Sequence, residues 1–343
     1  MISQHFSRLL LQLVLNFWMI SVVRPFNCIR MTGTKFFHST STCHLNRFLF
    51  DPSEVTAEDS KVETVFLGKD DYRTIHAAKV LGLQNGDTIR AGIVMDPNAE
   101  ELQNGLKTDG ATVEWIPEGK VKKAEVLKNG NPPGSLLVRL HGLAPVNSPS
   151  DQILVSLILA LPRPLQLGRM LPMISQMGVD QLVLTGAQKV PKDYFGSHLF
   201  RKPEVLRERL IEGLCQAGDV RLPKLHIAKN LRVFFDDDLD RLFPKSEYSR
   251  VLAHPKRANG VGEPLRMGDV TFPSGNRPGT ASKLVVAVGP EGGWAEPEEL
   301  DRFEELGFQQ ITLGTRTLRS DCAVVSLLSL AHEVCHEKNK QQL

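Results

Sequence analysis

The feature that most constrains the fold is the stretch Ile153–Leu161, ILVSLILAL, which contains a single polar residue, Ser156. A short run without a polar face is typical of a β-strand that is buried on both sides, as in a parallel sheet covered by helices. Strand-like and helix-like segments alternate from Gln152 onward. This alternation predicts an α/β domain with a mostly parallel sheet and helices on both faces.

The segments that follow can be assigned from their periodicity and their boundary residues. Leu206, Leu210 and Leu214 recur on one helical face. Pro297 and Gly307 bound a further helix at the positions that these residue types prefer. The predicted helices cover residues 166–177, 202–218, 297–306 and 323–334, and the predicted strands lie within 153–161, 179–188, 250–255, 283–290 and 309–314.

The region before this domain has a different residue pattern. Between about residues 45 and 143, short stretches rich in β-branched and aromatic residues are separated by turns such as Asn85-Gly86-Asp87. They predict a small β-rich barrel with one helix over 71–81. The segment 144–151, APVNSPSD, has the composition of a linker. A chain of 343 residues is therefore expected to hold two domains, at 44–143 and 152–338.

The N-terminal segment contains basic residues but no acid before Asp51. Its cationic residues are Arg8, Arg24, Arg30, Lys35 and Arg47. An acid-free stretch with arginine and serine predicts an organelle transit peptide over residues 1–43. We expect the mitochondrial matrix as its destination, with the chloroplast as the alternative. A signal peptide or anchor built on Leu9–Val23 is disfavoured, because polar residues interrupt that stretch and it is short for a membrane span.

The charge and the cysteines narrow the classes of function. The net charge is only +2, and removal of the transit segment would lower it to about −2. A nucleic-acid partner would therefore need a local basic patch. The five cysteines include no CxxC pair and no zinc-like spacing, so no metal is expected. No membrane partner is expected either.

Three loops follow predicted strands and are candidates for a ligand site. They lie at 253–260, 289–294 and 314–323, and in open α/β sheets ligands bind beyond the carboxyl ends of the strands. The second loop, GPEGGW, has neither the GxGxxG nor the GxxxxGK[ST] pattern, so a nucleotide phosphate and a dinucleotide oxidoreductase are both disfavoured. Glycine backbone beside acids would suit a cationic cofactor such as S-adenosylmethionine. A plain turn before a solvated acidic helix explains the same residues equally well.

The stretch Val288–Ala323, VGPEGGWAEPEELDRFEELGFQQITLGTRTLRSDCA, resembles the C-terminal signature of the RsmE family. These proteins are uridine-N3 methyltransferases of small-subunit ribosomal RNA within the SPOUT, or α/β-knot, superfamily. Their pattern is GPEGG, a helix, LG-x-R-x-LR and then a Thr-Glu-Thr-Ala-like segment. Weaker similarity extends upstream over Arg47–Phe50, His76–Ile89, Cys215–Leu225 and His254–Ala258. The resemblance thus covers nearly the whole chain after the transit segment.

The resemblance implies a fold, an activity and a set of partners. Residues 152–338 would form a SPOUT methyltransferase domain with a deep trefoil knot, and residues 44–143 a PUA-like RNA-binding β-barrel. The protein would be an obligate homodimer that holds S-adenosylmethionine in the knot. It would methylate N3 of a uridine in 16S-like ribosomal RNA of the small ribosomal subunit.

The resemblance also implies roles for individual residues. Arg319 would hold a target phosphate or stabilise negative charge on the uracil, although a salt bridge to the acidic helix is the alternative. Asp321 is either a site carboxylate or a helix N-cap. Cys322 is expected to be structural, because methylation at nitrogen needs no covalent adduct. The expected cofactor contacts are Leu252, His254, Gly289, Pro290, Glu291, Gly292, Gly293, Leu313, Gly314 and Leu318.

Candidate RNA contacts come from a cluster of basic and aromatic residues within 189–209, a combination that suits single-stranded or loop RNA. The aromatic members are Tyr194, Phe195 and Phe200. A solvated helix face explains Arg207 and Arg209 equally well. With three residues from elsewhere in the chain, the RNA-binding candidates are Arg47, Lys79, Lys189, Lys192, Arg201, Lys202 and Arg316.

Several positions depart from the family pattern. Met173 and Gln176 replace a lysine and a glutamate, and the Thr-Glu-Thr segment becomes Ser320-Asp321-Cys322. The hydroxyl of Ser320 and the carboxylate of Asp321 are kept, whereas Cys322 lacks a hydroxyl. These departures motivate an alternative hypothesis, in which the chain is a catalytically weak RNA-binding factor for ribosome assembly.

Overall fold

The computed structural model describes residues 47–57, 62–97, 105–117, 134–146, 153–257, 263–273 and 282–341. The predicted transit segment, 1–43, lies outside the described residues, as does most of the predicted linker. The described residues belong to one compact unit.

The N-terminal part forms a seven-stranded sheet. Its elements are β1 (Phe48–Phe50), β2 (Val55–Ala57), β3 (Glu63–Leu67), α1 (Tyr72–Lys79), β4 (Thr88–Ile93), β5 (Leu106–Pro117), β6 (Gly134–Leu140) and β7 (Ala144–Pro145). The strand order is β1-β4-β5-β6-β3-β2, and β7 pairs with β5. All the pairings are antiparallel except that of β1 with β4. Because β7 belongs to this sheet, the first two residues of the predicted linker are part of the β-rich region.

The C-terminal part is an α/β domain. Its strands are β8 (Leu154–Ala160), β9 (Gln181–Thr185), β10 (Lys224–Ala228), β11 (Tyr248–Ala253), β12 (Lys283–Val288) and β13 (Gln309–Ile311). Its helices are α2 (Pro164–Gln176), α3 (His198–Arg201), α4 (Pro203–Ala217), α5 (Leu231–Val233), α6 (Leu239–Leu242), α7 (Glu298–Glu305) and α8 (Ser320–Gln341), and a π-helical turn, Phe234–Asp238, joins α5 to α6. Short 3₁₀ turns lie at Pro52–Glu54, Lys192–Gly196 and Met267–Asp269.

The six strands of this domain are all parallel, in the order β10-β9-β8-β12-β11-β13. Leu157, Ile158 and Leu159 are successive residues of β8, and none of them has any exposed surface. Because side chains alternate between the faces of a strand, both faces of β8 are covered. The predicted α/β architecture is confirmed.

The strand order places a switch point in the middle of the sheet. From β8 the chain proceeds outward through β9 to β10, whereas β12, β11 and β13 lie on the other side of β8. Crevices at such switch points, beyond the carboxyl ends of the strands, are the usual ligand sites of open α/β sheets. Here that edge of the sheet carries the residues that follow Ala160, Ala253, Val288 and Ile311.

The two sheets meet at Val220. A Cβ added at Gly92 or at Gly105 would lie 2.5 Å or 2.7 Å from the Val220 side chain, so only glycine allows this approach. Backbone hydrogen bonds join Met95 to Val220 and to Leu222 at 2.8 Å and 3.0 Å. The docking of the β-rich region on the α/β domain therefore depends on close backbone contact.

Charged side chains reinforce this contact. The guanidinium of Arg207 in α4 pairs with Asp51 and, at 3.1 Å, with Asp96. Arg207 is thus an interdomain ion-pair residue.

Arg47 stabilises the N-terminal sheet from within. Its side chain is buried and donates to the carbonyls of Ala91 at 2.7 Å and Thr108 at 2.9 Å.

Several elements were not predicted from the sequence. They are β2, β7, β10, α3 and the helical segments between Leu231 and Leu242. The last helix is also longer than expected, since it begins at Ser320 and ends at Gln341.

Two glycines inside helices test the packing between α2 and α4. A Cβ at Gly213 would lie 2.0 Å from the Pro172 carbonyl oxygen, whereas at Gly168 the nearest atom would be 3.9 Å away. We expect Gly213→Ala to destabilise the protein by about 1–3 kcal/mol, because neither backbone can yield without cost. Gly168→Ala should be neutral or stabilising by up to about 1 kcal/mol through helix propensity. Urea unfolding measures both, and equal effects would contradict this description of the contact.

Candidate active site

A cavity of about 700 Å³ opens at the carboxyl edge of the parallel sheet. Its walls come from the loops after β11, β12 and β13 and from the first turns of α2 and α8. The three loops predicted to converge therefore do so at the switch point between β8 and β12. The volume lies in the range of ordinary small-molecule sites.

The glycine turn after β12 forms one wall of this cavity. A Cβ at Gly289 would lie 3.1–3.2 Å from three atoms of Trp294, so the backbone packs directly on the indole. Gly293 has a φ of +68° and donates its N–H to the Pro290 carbonyl at 2.8 Å. The turn is thus tight, and it depends on glycine at two positions for different reasons.

A neighbouring loop braces this turn from outside. The Lys189 ammonium donates to the carbonyls of Gly292 at 2.9 Å and Trp294 at 3.1 Å. Glu299 of α7 accepts from the backbone N–H groups of Gln188 and Ala295, both at 2.7 Å. These charge-assisted bonds fix the turn to the loop after β9.

The charges around the cavity are mostly positive. Its lining includes four arginines, Arg163, Arg169, Arg316 and Arg319. Glu291 is its single acidic lining residue among the described part of the chain, and Arg163 pairs with it at 3.2 Å. Glu298 and Glu299, which made the turn look acidic in the sequence, line a different cavity. The acidic residues near the turn in the sequence therefore do not make the lining of this cavity predominantly acidic.

Arg319 lies at the mouth of the cavity with most of its side chain exposed. Its guanidinium donates to Asp321 at 2.7 Å and to the Gln166 side chain at 3.4 Å. It makes no ion pair with the acidic helix α7 among the described residues. Burial alone would raise the pKa of Asp321, but hydrogen bonds from the Cys322 backbone and Gln166, with the charge of Arg319, outweigh it and lower that pKa. Asp321 is thus ionised at neutral pH and orients Arg319.

His254 also lines the cavity, in the loop that follows β11. Its backbone N–H donates to the Ile311 carbonyl at 3.1 Å, and Gln310 donates to the Pro255 carbonyl at 2.7 Å. Burial lowers the pKa of His254, and the positive charges of Arg257 and Lys189 add to this effect against the opposing charge of Glu296. The imidazole is therefore neutral at pH 7.

Most of the residues expected to contact a cofactor lie on the cavity. Those that line it are His254, Gly289, Pro290, Glu291, Gly293, Leu313, Gly314 and Leu318. Leu252 does not line it, because its side chain is buried in the core. Gly292 does not line it either, since it faces Lys189.

The expected RNA contacts are dispersed. Arg316 lines the cavity, and Lys189 braces the glycine turn. Arg47 is buried against backbone carbonyls of the N-terminal sheet. The remaining candidates, Lys79, Lys192, Arg201 and Lys202, are exposed.

The sequence reasoning missed one wall of the cavity, the start of α2 with Arg163, Leu165, Gln166 and Arg169. A signal for it was present. The segment Leu161–Met170 directly follows the most buried strand, so the helix that it starts must begin at the ligand-binding edge of the sheet.

Within the described part of the chain, no group of three or more histidine, cysteine, aspartate or glutamate side chains is placed to hold a metal ion. Likewise, none of the described helices is long and apolar enough to cross a bilayer.

Comparison with known families first defines the class. A family model described as an RNA methyltransferase domain matches residues 149–332, which is more than half of the chain and includes the whole parallel sheet. The chain therefore belongs to this family of RNA methyltransferases.

The relatives are more specific. The chain is 28% identical over 268 residues to ribosomal RNA small subunit methyltransferase E of Treponema pallidum, covering 76% of this chain and 84% of that protein. A 54-residue segment is 44% identical to the protein of the same name in Mesomycoplasma hyopneumoniae, covering 16% of this chain and 23% of that protein. The resemblance to the RsmE methyltransferases is thus confirmed.

Solved structures share the fold. The protein of that name from Neisseria gonorrhoeae, crystallised with S-adenosylmethionine, superposes with a TM-score of 0.53 at 20% identity. The match covers 83% of this chain and 96% of that one. A putative methyltransferase from Legionella pneumophila, also with the bound cofactor, has a TM-score of 0.54 at 19% identity, over 84% and 96% of the two chains.

Lys189 provides a test of how the glycine turn is held. We expect Lys189→Met to release the Gly292 and Trp294 carbonyls and to speed amide hydrogen exchange in residues 289–295. Lys192→Met is the matched control, because Lys192 lies on the same loop and contacts neither carbonyl. Unchanged exchange in Lys189→Met would show that the turn does not depend on this lysine.

Proposed function

We propose that this protein is an S-adenosylmethionine-dependent methyltransferase that acts on N3 of a uridine in small-subunit, 16S-like ribosomal RNA. The observation that carries the proposal is the cavity at the switch point, which joins a glycine turn to a rim of arginines in a chain of the RNA methyltransferase family. The cofactor bound by the N. gonorrhoeae and L. pneumophila proteins and the names of the curated relatives support it.

The residues of the cavity fit such a cofactor. Gly289, Pro290, Gly293, Leu313 and Gly314 line the cavity, and a Cβ at Gly314 would meet nothing within 4 Å. Apolar walls are supplied by Leu318, Ala323 and Leu327. Once bound, S-adenosylmethionine would supply an electrophilic methyl group on its sulfonium.

Arg319 is the proposed catalytic residue. Loss of the N3 proton leaves negative charge on the two uracil oxygens, and a guanidinium fixed nearby stabilises that charge as the methyl group is attacked. Asp321 would hold the guanidinium in place through their 2.7 Å ion pair. Arg163, Arg169 and Arg316 at the rim would hold phosphates around the target nucleotide.

The finer architecture belongs to the same proposal. We infer a trefoil knot in the α/β domain and a PUA-like, RNA-binding role for residues 44–143. We also infer a homodimer, supported by the exposed Leu165 and Leu330 on the mutually packed helices α2 and α8. Sedimentation at micromolar concentration tests the dimer, and a single species of monomer mass would contradict it.

The alternative is a catalytically weak factor that binds RNA during ribosome assembly. The replacements at Met173, Gln176 and Cys322 favour it, and neither Met173 nor Gln176 lines the cavity. Normal cofactor affinity with negligible turnover would select this alternative.

For localisation, we propose the mitochondrial matrix, on the basis of the acid-free N-terminal sequence. A fluorescent reporter fused to residues 1–50 is expected to enter mitochondria. Import into plastids, or secretion, would contradict the proposal.

The cofactor site can be tested at Ala323, a small residue of the cavity wall in the first turns of α8. Ala323→Phe should occupy ligand volume and weaken S-adenosylmethionine binding at least about 10-fold, or about 1.4 kcal/mol, by calorimetry. Ala323→Ser keeps the volume and should bind normally. Equal affinity in Ala323→Phe and wild type, at unchanged melting temperature, would place the cofactor elsewhere.

Arg319 tests the chemistry. Arg319→Ala should retain S-adenosylmethionine affinity yet lose about 10²–10³-fold in single-turnover methylation of ribosomal RNA, as expected for loss of one charge-stabilising donor. Arg319→Lys should recover only part of the rate, because it keeps the charge but not the planar fork. If turnover per folded molecule is unchanged in Arg319→Ala, the catalytic assignment is wrong.

A further inference from the structure

A second cavity, of about 1240 Å³, opens on the same edge of the parallel sheet, beyond β9 and β10. The loops after these strands form it, together with the start of α7. A Cβ at Gly186 would lie 2.4 Å from the Lys229 carbonyl oxygen, so the two loops are in direct backbone contact. The walls of this second cavity are therefore fixed by close packing rather than by mobile side chains.

The second cavity adjoins the candidate active site. Gln188 lines it, while the next residue, Lys189, donates to carbonyls of the glycine turn that walls the first cavity. Glu299 lines the second cavity and accepts the Ala295 N–H at the end of the same turn. Gln188, Lys189 and Glu299 therefore lie between the two cavities, and a ligand that extends beyond the first cavity would reach the second one.

The charged lining of the second cavity favours an anion. Asp236 pairs with Arg302 at 2.9 Å and with Arg232 at 4.0 Å. The carboxylate of Glu299 accepts hydrogen bonds from two backbone N–H groups. Lys192 and Lys229 are exposed lining residues, and neither has an ion-pair partner among the described residues. Two ammonium groups are thus available to a ligand, with Glu298 as the remaining acid.

An aromatic face lies beside these lysines. Phe195 lines the second cavity and is half-buried, and its ring packs against that of Phe200 with centroids 5.2 Å apart. The phenyl ring is thereby held in one orientation while part of it stays open. Phosphate-binding cations next to an accessible aromatic ring are the features that single-stranded nucleic acid requires.

We propose that the second cavity binds an unpaired nucleotide adjacent to the target base of the RNA substrate. The base would stack on Phe195, and its phosphate would lie between Lys192 and Lys229. This inference rests on the proposed function, since it assigns the neighbouring nucleotide of the same substrate. It also explains how a target base becomes accessible, because a flanking nucleotide held in this way cannot remain stacked in a duplex.

The test compares RNA binding by full-length variants. The probe is a fluorescein-labelled octauridylate, with a labelled RNA duplex of eight base pairs as reference, measured by anisotropy from 50 to 300 mM KCl. K192Q/K229Q should weaken octauridylate binding and reduce the slope of log affinity against log salt by about 0.7, the value for the one phosphate that the two lysines would hold. Phe195→Leu should weaken octauridylate binding by up to about 5- to 150-fold, the range for one base–aromatic stack, and leave duplex binding unchanged.

The matched control removes two exposed lysines from the opposite edge of the sheet. Lys224 begins β10, the strand that Lys229 follows, and Lys245 precedes β11. K224Q/K245Q should bind octauridylate as the wild type does. Equal weakening in both double variants, or no octauridylate binding by the wild type, would overturn the proposal.

Methyl transfer to ribosomal RNA separates this inference from the proposed function. If the wild type methylates ribosomal RNA and K192Q/K229Q and Phe195→Leu do so with unchanged KM, the second cavity is not a substrate site while the function stands. If the wild type transfers no methyl group but octauridylate binding still depends on Lys192, Lys229 and Phe195, the proposed enzyme activity fails and the RNA site remains.

Discussion

The pairing of β8 with β12 is the constraint on which the rest of the structure depends. These two strands are adjacent although three other strands of the sheet and the helices α2 to α6 separate them in sequence, and their junction creates the switch point. Since every strand is parallel, the carboxyl ends meet at a single edge. Both cavities, the glycine turn and the Arg319 loop lie at that edge for this reason.

Apolar packing holds the glycine turn on one side, and hydrogen bonds from a lysine hold it on the other. On the inner side, Gly289 packs on Trp294, whose ring contacts Phe303 at 4.7 Å between centroids and thereby ties the turn to α7. On the outer side, the Lys189 ammonium satisfies two carbonyls of the turn. Apolar packing sets where the turn lies, and charge-assisted hydrogen bonds fix its carbonyls, so that its remaining backbone groups are presented in one geometry.

The arginines fall into two groups, those that are satisfied within the fold and those that line the first cavity. Arg47, Arg207 and Arg250 have their guanidinium groups satisfied by carbonyls or carboxylates, and Arg250 is almost fully buried. Arg163, Arg169, Arg316 and Arg319 line the cavity and are exposed. A chain of nearly neutral net charge thus places four exposed arginines around one cavity, two of them ion-paired, and a global charge count cannot reveal this cluster.

The sequence by itself determined the α/β class, the four longest helices and most of the strands of that domain, and the three loops of the site. Continuous apolar runs such as Ile153–Leu161 and strand-end motifs such as Gly289–Gly293 are local signals, and they are visible in one dimension. The sequence did not reveal β10, whose residues are only partly buried and carry no clear alternation. Only the tertiary structure decided which lysines have hydrogen-bond partners. Lys189 and Lys192 are equivalent in the sequence pattern, but only the Lys189 ammonium donates to carbonyls of the glycine turn. It also decided that Glu298 and Glu299 line the second cavity, since the direction of a side chain depends on which strands are neighbours, and a linear pattern does not contain that information.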